Sequence, residues 1–591
     1  MDDALLLVKE QAMDKNLRQR VMHWIENDPD PVTRDALTRL LAQGDGVELD
    51  RLFSEELSFG TAGLRAALGP GPSRMNRVVI RRATRAVALH INESHRNEQS
   101  KAVVVGYDGR YGSRRFAEDA ACVFVAHGFL VYLSDKTIPT PQLAYALLEL
   151  KCRGGVMVTA SHNPPSDNGY KVFWSDGAQI ITPHDRLIAA HIETLSDLGE
   201  LDIPDFAKLV EKEQIRSIPT SISDDYVQAV LAQRVHTQTS NLKVVYSAMH
   251  GVGWPMVERV LSDAGYHQVF PVIEQRDPDP DFSTVKFPNP EEPGAMDLAL
   301  SLAAERGADL VVANDPDADR LAVALPNKDG HFHLLSGNQV GCLLANYLLT
   351  KGEFHRPLVV TTIVSTRMLS YIASKHGAAY KETLTGFKWL AHEAIKVARD
   401  GGQFVLGFEE ALGYSVGPVV RDKDGISALL QFCDLVSYLQ QMGMTVWDQL
   451  EALYREHGFF YNRQHSLKRP GLSGRIEINT MMETLRAASP RSLGGVALRC
   501  VKDFARGREV ITATGEVHPI ALPESNVLAF ELEDGGQVLV RPSGTEPKIK
   551  FYFEVRETML TEDTLEGCQR RCQERVGRLQ QEILTHCGLH D

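Results

Sequence analysis

The sequence predicts a multidomain α/β protein that ends in a smaller α+β domain. Three observations carry this prediction. Short Val- and Ile-rich runs alternate with helical stretches, the signature of βαβ units around a largely parallel sheet. The alternation restarts further along the chain, so more than one such sheet is built. A length of 591 residues also exceeds what one hydrophobic core organises, which gives roughly three to five domains.

Helical periodicity fills the first stretch of the chain, broken and restarted at Asp28-Pro29-Asp30-Pro31, where Asp and Pro stop one helix and open the next. These helices either cap the first domain or mediate self-association. Ala102–Tyr107 then reads as a strand, Ser113–His127 as a helix, Phe129–Leu133 as the next strand and Gly155–Thr159 as another. A second series of buried-strand candidates follows at Leu242–Ser247, Asp309–Ala313, Leu358–Ile363 and Gln403–Leu406. Joints between domains are expected near Ile215–Ser223, Pro326–Gly330 and Glu456–Arg463. In the last section, Phe530–Val540 alternates acidic and apolar residues around Asp534-Gly535-Gly536, which predicts a hairpin. A strand at Ile549–Val555 and a polar helix from Leu560 to Leu584 complete the α+β domain.

Lys and Arg total 63 against 77 Asp and Glu, a net charge of -14. That balance argues against a nucleic-acid or anionic-membrane surface, which needs a positive field. A phosphate ligand would therefore require local Arg, Lys and backbone N–H groups to overcome the mean repulsion. The eight cysteines are scattered over a long chain, which predicts reduced thiols rather than a disulfide scaffold. Cys568 and Cys572 share a helix face, but no second pair stands at zinc-site spacing. The N-terminus has acids before a short apolar run and no small-residue cleavage site, unlike a signal peptide. No run approaches the roughly 20 apolar residues of a membrane span. A cytoplasmic location is expected.

Several loops could carry chemistry. Thr159-Ala160-Ser161-His162-Asn163-Pro164-Pro165 follows an apolar strand. Ser161, with His162 beside it and Lys171 nearby, is either a nucleophile or phosphoryl carrier activated by cations, or a hydroxyl-capped turn. No G-x-S-x-G elbow surrounds it, which disfavours a hydrolase triad. Asn314-Asp315-Pro316-Asp317-Ala318-Asp319-Arg320 also follows a strand. Carboxylates at alternate positions of an extended loop can turn toward one hard cation. A calcium EF-hand would want Gly at the sixth position and Glu at the twelfth, where Arg320 and Pro326 stand. Asp277-Pro278-Asp279-Pro280-Asp281 has the same spacing, but no strand feeds it, and it reads as a solvated loop. The metal is therefore placed at Asp315, Asp317 and Asp319.

Arg541-Pro542-Ser543-Gly544-Thr545-Glu546-Pro547-Lys548, with Lys550 beyond, offers hydroxyls, a glycine and cations for a phosphate cradle. Gly407-Phe408-Glu409-Glu410-Ala411-Leu412-Gly413 supplies carboxylates suited to sugar hydroxyls. Thr385-Gly386-Phe387-Lys388-Trp389 supplies a hydroxyl, a cation and an aromatic face. Each also fits a capped helix start. Gly60-Thr61-Ala62-Gly63-Leu64-Arg65 is a flexible loop with one useful cation, or simply a turn. No Walker-type or G-x-G-x-x-G string occurs, so nucleotide cofactors have no support.

Together TASHNPP, NDPDADR, GFEEALG and RPSGTEP, in that order, resemble the α-D-phosphohexomutase superfamily. The match runs from about Gly60 into the C-terminal domain. The longer strings DNGYKVFWSDGAQIITPHD, PDPDFSTVKFPNPEEPGAMDLAL, TLTGFKWL and RDKDGISA resemble its phosphoglucomutase-2/phosphopentomutase-type branch, whose relatives include a glucose-1,6-bisphosphate synthase. The resemblance implies a four-domain α/β architecture, with three related sheet domains and a C-terminal α+β domain around a central cleft. Residues 1–215, 216–328, 329–457 and 458–591 would be the four domains. Ser161 would carry the phosphoryl group, with Mg²⁺ held by it and by Asp315, Asp317 and Asp319. Lys423 would transfer the proton, and Arg65, His162 and Lys171 would line the transfer centre. Arg320, Thr385, Gly386, Lys388 and Glu409 would bind the sugar phosphate. Arg541, Ser543, Gly544, Thr545 and Lys550 would grip the non-reacting phosphate.

The implied reaction interconverts glucose 1-phosphate and glucose 6-phosphate through a phosphoserine and a bisphosphate, with glucose 1,6-bisphosphate as activator. Alternatives are the ribose 1-phosphate to ribose 5-phosphate reaction, glucose-1,6-bisphosphate synthesis, and a catalytically silent phosphosugar-binding protein. The better-known phosphoglucomutases carry Ser where this chain has Ala411, so strict glucose specificity does not follow. A phosphosugar is the expected partner of a monomer or homodimer.

Overall fold

The computed structural model describes residues 14–95, 101–195, 203–469, 471–543 and 548–589. The chain forms two compact units. The first comprises residues 1–335, 394–396 and 411–437, and the second the remainder.

The first unit opens with α1 (Lys15–Asn27), α2 (Pro31–Gln43) and α3 (Gly46–Phe53), whose N-termini are capped by the side chains of Asp14, Asp30 and Asp45. The Asp-Pro segment breaks and restarts the helix as its composition predicts. Asp28 accepts from Asp30 N and from Thr33 Oγ1, while Asp30 accepts from Val32 N. Leu17, Val21, Trp24, Leu37, Leu49, Leu52 and Phe53 from these helices join the same buried cluster as Val103, Val105 and Phe116. The N-terminal helices are thus part of the first domain's core.

The first sheet contains β1 (Leu64–Ala67), β2 (Ala102–Tyr107), β3 (Leu130–Leu133), β4 (Gly154–Val158), β5 (Asp167–Trp174) and β6 (Ile215–Ser217), in the order β1-β5-β4-β2-β3-β6. Its β4, β2, β3 and β6 run parallel, and β2 is buried at every residue, which is why it reads as a continuous apolar run. Helices α4 (Arg77–Ser94), α5 (Ser113–Ala126), α6 (Thr140–Glu149) and α7 (His184–Thr194) accompany it. One expected boundary, at residue 215, falls inside β6. This strand is three residues long with two of them exposed, so it leaves almost no apolar signature.

The second sheet, β11-β10-β9-β7-β8, is built from β7 (Lys243–Ser247), β8 (Gln268–Pro271), β9 (Leu310–Ala313), β10 (Ala322–Pro326) and β11 (Phe332–Leu334). Pro326–Gly330, expected as a domain joint, is instead the turn between β10 and β11. Gly330 N donates to Asn327 O, and Asn327 N donates to His331 O. Hairpin turns and linkers draw on the same residues, so composition alone does not separate them.

The second unit contains β12 (Pro357–Thr362) paired in parallel with β13 (Ala379–Thr383) and β14 (Gln403–Glu409). The short β15 (Gly413–Val416) falls in the first unit. An antiparallel sheet closes the chain with β16 (Phe459–Lys468), β17 (Ser492–Leu493), β18 (Val496–Asp503), β19 (Arg508–Ile511), β20 (Val517–Pro519), β21 (Leu528–Leu532), β22 (Gln537–Pro542) and β23 (Lys548–Glu557). The β21–β22 hairpin turns at Asp534–Gly536 as predicted. The last helix, Leu565–His586, begins five residues later than its polarity suggests, because Thr564 caps it. All eight cysteines are free and buried. No helix among the described residues is long and apolar enough to cross a membrane.

Candidate active site

At the carboxyl end of β4 the chain turns sharply. Thr159 Oγ1 accepts from Ser161 N at 2.8 Å, and Ser161 is buried with φ +53°. A left-handed conformation at a residue with a β-carbon costs about 1–3 kcal/mol and persists only where surrounding contacts hold it. Here the turn delivers the hydroxyl across to the second sheet's loop: Ser161 Oγ donates to Asp315 Oδ2 at 2.7 Å. His162 Nδ1 lies 3.3 Å from Ser161 Oγ.

The loop after β9 is buried throughout, with Asn314, Asp315, Asp317 and Asp319 all 0% exposed. Asn314 anchors it by accepting from Tyr246 Oη and donating to Arg320 O. Ala318 turns back at φ +56°. The glycine at 425 permits the close approach of the neighbouring loop, since a β-carbon there would stand 2.2 Å from Arg320 O. Ligand oxygens of Asp315, Asp317 and Asp319 lie within 4.8 Å of one another.

Cations converge on these carboxylates. Lys171 Nζ, from β5, donates to Asp317 Oδ2 at 2.6 Å and to Asp319 Oδ2 at 2.9 Å. Lys423 Nζ stands 3.0 Å from Asp319 Oδ2. Arg320 N donates to Asp315 Oδ1 at 3.0 Å. Arg65, from β1, is half-buried, with the three aspartates as its dominant charged attraction. Lys171, Lys423, Arg320 and Arg65 thus gather around the three aspartates, with Asp422 3.6 Å from Lys423 and Glu291 3.7 Å from Arg320 as further acidic partners. This cluster concentrates the cations that a phosphate needs in a chain whose net charge is -14.

Burial, then the Asp319 and Asp317 carboxylates, push Asp315 up to about 7. Burial acts the same way on Asp319, but Lys171, Lys423 and Arg320 outweigh it and hold this carboxyl below its ordinary value. Burial, followed by Arg320 and Arg65, pushes His162 well below the usual imidazole range and keeps it neutral. Burial also opposes the charge of Lys171, but Asp317 and Asp319 prevail and keep it an ammonium.

The donor set fits a hard divalent cation. Asp317 and Asp319 each give Oδ2 to lysine and leave Oδ1 buried without a hydrogen-bond partner. A buried carboxylate oxygen left unpaired is costly, and a cation held by these oxygens would remove that cost.

One residue of this site escapes sequence reasoning. Arg110, three residues beyond the end of β2, clamps the Ser161 loop through its carbonyls. Its Nη2 donates to Ser161 O and Asn163 O, each at 2.6 Å, and its Nη1 to Pro164 O at 2.7 Å and Asp167 O at 3.1 Å. Asp108 stands behind it at 3.4 Å. Thr140 is a second omission: its N and Oγ1 donate to Asp317 O and Oδ2. The only available signal was the position of Asp108 and Arg110 at a strand's carboxyl end, where such sheets place ligands.

The remaining candidates lie in the second unit. Arg541 Nη1 donates to Thr385 Oγ1, and Gly386 N donates to Glu409 Oε1 at 2.7 Å. Arg541 and Lys550 are register partners across β22 and β23. Lys388 lies in the first turn of the helix Phe387–Arg399. Ser543 N donates to Lys548 O at 2.8 Å, closing the loop whose Gly544 and Thr545 lie outside the described residues. Thr385, Gly386, Glu409 and Arg541 are therefore brought together, while Ser161, His162, Arg65, Lys171, Arg320, Lys423 and the three aspartates form a separate group in the first unit.

Such a set of hydroxyl, carboxylates and cations on α/β sheets is the equipment of a phosphotransferase. Models of phosphoglucomutase/phosphomannomutase domains match in series: α/β/α domain I at residues 56–198, domain II at 224–329, domain III at 336–457 and the C-terminal domain at 499–566. A human phosphopentomutase is 35% identical over 566 residues, covering 92% of each chain. A phosphoglucomutase of Staphylococcus aureus is 35% identical over 549 residues, covering 92% of this chain and 96% of its own. The crystal structure of the Paramecium phosphoprotein pp63/parafusin, a phosphoglucomutase, superposes with a TM-score of 0.66 at 17% identity, covering 91% of this chain and 97% of that one. This chain belongs to the phosphoglucomutase/phosphomannomutase family and is an intramolecular phosphotransferase with that family's four domains.

Proposed function

We propose that the chain moves a phosphoryl group between the 1-hydroxyl and the terminal hydroxyl of an aldose, using Ser161 as the carrier and a bisphosphate sugar as the intermediate. The observation that supports this most directly is Ser161 Oγ at 2.7 Å from Asp315, inside the carboxylate loop.

Asp315, Asp317 and Asp319, together with an oxygen on Ser161, would hold Mg²⁺. When bound, Mg²⁺ supplies charge neutralisation at the phosphoryl oxygens. Arg65, Lys171 and Arg320 steady the phosphoryl group in line between carrier and acceptor, which is the chief demand of this chemistry. Lys423, beside Asp319, is assigned the proton transfer: its ammonium first yields a proton to solvent, and the neutral amine then takes the proton of the attacking sugar hydroxyl. The P–O bond to Ser161 breaks as the bond to the sugar forms. Turnover of the bisphosphate then presents its other phosphate to Ser161, restoring the carrier. Arg541 and its neighbours grip whichever phosphate is not reacting, and Glu409 accepts from sugar hydroxyls. A free bisphosphate serves as primer.

Between the two sugars, ribose 1-phosphate is assigned the higher kcat/KM. Ala411 supplies no hydroxyl to a hexose ring, and one of the relatives is a phosphopentomutase. Glucose 1-phosphate is the second substrate, favoured by the phosphoglucomutase relative.

The test is a coupled assay with Mg²⁺ and a trace of glucose 1,6-bisphosphate on both sugars. Ser161→Ala is expected to lose about 10³-fold or more of turnover, as nucleophile deletions do. Equal activity in the two proteins would sink the mechanism. Ala411→Ser is expected to raise glucose turnover by about 10-fold, the worth of one hydrogen bond. Phosphoryl transfer onto glucose 1-phosphate from a donor other than its bisphosphate would reassign the chain to bisphosphate synthesis.

A further inference from the structure

A second cluster of metal-ligating side chains lies in the first unit, away from the aspartate loop. Helix α4 contributes His90 and Glu93, one turn apart, and α7 contributes His184 and His191, two turns apart. Both spacings place a pair on one helix face. The two faces meet. His90 Nε2 lies 2.9 Å from His184 Nδ1, and His191 Nε2 lies 3.1 Å from Glu93 Oε2. Ligand atoms of His90, Glu93 and His191 all lie within 4.8 Å of one another.

We propose that His90, Glu93 and His191, with His184 against them, form a site for one divalent transition-metal ion, zinc by its ligand set, that ties α7 to α4. Imidazoles with a single carboxylate suit Zn²⁺, whereas an all-carboxylate set such as the aspartate loop suits Mg²⁺. A tetrahedral zinc with bonds of about 2.0–2.1 Å holds its ligand atoms about 3.4 Å apart. The Glu93–His191 pair already meets that spacing, and the ligand atom of His90 lies within 4.8 Å of both. The site has a floor and an entrance. His90 is 3% exposed, and its ring sits 5.1 Å from that of Trp174, which in turn lies 4.0 Å from His184. The side chains of Glu93 and His191 are 50% and 22% exposed, open to ions from solvent. His184 has either of two parts: a further ligand, or the hydrogen-bond partner that fixes the His90 ring, as ligating histidines commonly require. Both keep it in the cluster.

The alternative is a pair of hydrogen bonds with no affinity for metal. The full chain, stripped with chelator and supplied with excess Mg²⁺ to fill the aspartate loop, would be titrated with Co²⁺, whose visible absorption reports tetrahedral nitrogen coordination, and then with Zn²⁺. The wild type is expected to take up one Co²⁺ and release it to Zn²⁺. Glu93→Gln and His191→Ala, both at the exposed rim, are each expected to weaken uptake by about 100-fold or more while leaving mutase turnover unchanged. His90→Asn should abolish uptake. No Co²⁺ band in the wild type, or a band of the same strength in His191→Ala, would overturn the assignment.

Discussion

Residues 315–319 and 277–281 carry the same Asp-x-Asp-x-Asp spacing in the same unit, yet only the first gathers its carboxylates. Asp315, Asp317 and Asp319 follow a fully buried strand and converge at 0% exposure. Asp277, Asp279 and Asp281 each satisfy themselves separately. Asp277 accepts from Arg276, Asp279 from Ser283 and from Asp281 N, and Asp281 from Tyr111 Oη. The difference teaches that spacing alone does not make a cation site. A strand must deliver the loop into the interior, and the protein must leave oxygens there without protein partners. The second loop has another task. Its Phe282 ring lies 4.8 Å from the Arg110 guanidinium, and its Pro278 packs on Gly109, where a β-carbon would stand 2.6 Å from Pro278 Cβ. It supports the clamp on the Ser161 loop.

The largest expected effect separates the two loops directly. Asp317→Asn keeps the shape but removes a charge, and kcat should fall by about 10²–10³-fold, the scale of losing one electrostatic contact at a reacting centre. Its Mg²⁺ requirement should rise in parallel, and chelation should silence the wild type reversibly. Asp281→Asn should change kcat by no more than about 2-fold, as surface substitutions do. Comparable losses in the two variants would break the distinction.

A smaller effect tests what the second loop does instead. Arg110→Lys leaves a cation but cannot serve four carbonyls at once. If the clamp positions Ser161, kcat should fall by about 10–100-fold, the cost of misplacing a reacting group by an ångström or so, with KM nearly unchanged. Phe282→Leu removes the ring over the guanidinium, worth about 0.5–2 kcal/mol, together with part of its buried packing against His250, and should give a weaker version of the same kcat loss. A melting temperature lowered in both variants with kcat intact would reduce Arg110 to a structural tie.

These contrasts also mark what the amino-acid order could reveal. Strands β2, β4, β7 and β9 were legible because burial on both faces writes them as apolar runs, whereas the more exposed β1, β8 and β11 were not; the aspartate loop was legible because a strand precedes it. Lys171 was read as a cation near Ser161 and Lys423 was recognised by resemblance, since nothing in their spacing points either of them at Asp319. Arg110 stayed hidden because its partners are backbone carbonyls, which leave no trace in side-chain chemistry. The packing of α1–α3 on the first core was likewise illegible: an amphipathic helix announces an apolar face and not its target. The short β6 and the β10–β11 turn show the reverse, since exposed edge strands and hairpin turns share their composition with linkers.

The smallest expected effect reads the comparison in protons. Hydrogen bonds from Ser283 lower the Asp279 carboxyl below its ordinary value, whereas burial, and then the neighbouring Asp319 and Asp317, raise Asp315 to about 7. A carboxyl lowered on folding releases its proton more readily when folded, so its stabilisation is present above about pH 4 and fades as pH falls through the folded value. Asp279→Asn should therefore melt slightly below the wild type at neutral pH, by the equivalent of about 0.5 kcal/mol or less. The gap should close as the pH falls to about 3, where the native carboxyl is also becoming neutral. A gap that stays constant across this range would mean that shape, and not charge, holds the turn. Local donors that lower a carboxyl have already spent its oxygens, whereas burial of three neighbouring carboxylates, with Oδ1 of Asp317 and Asp319 left without a hydrogen bond, still calls for a cation.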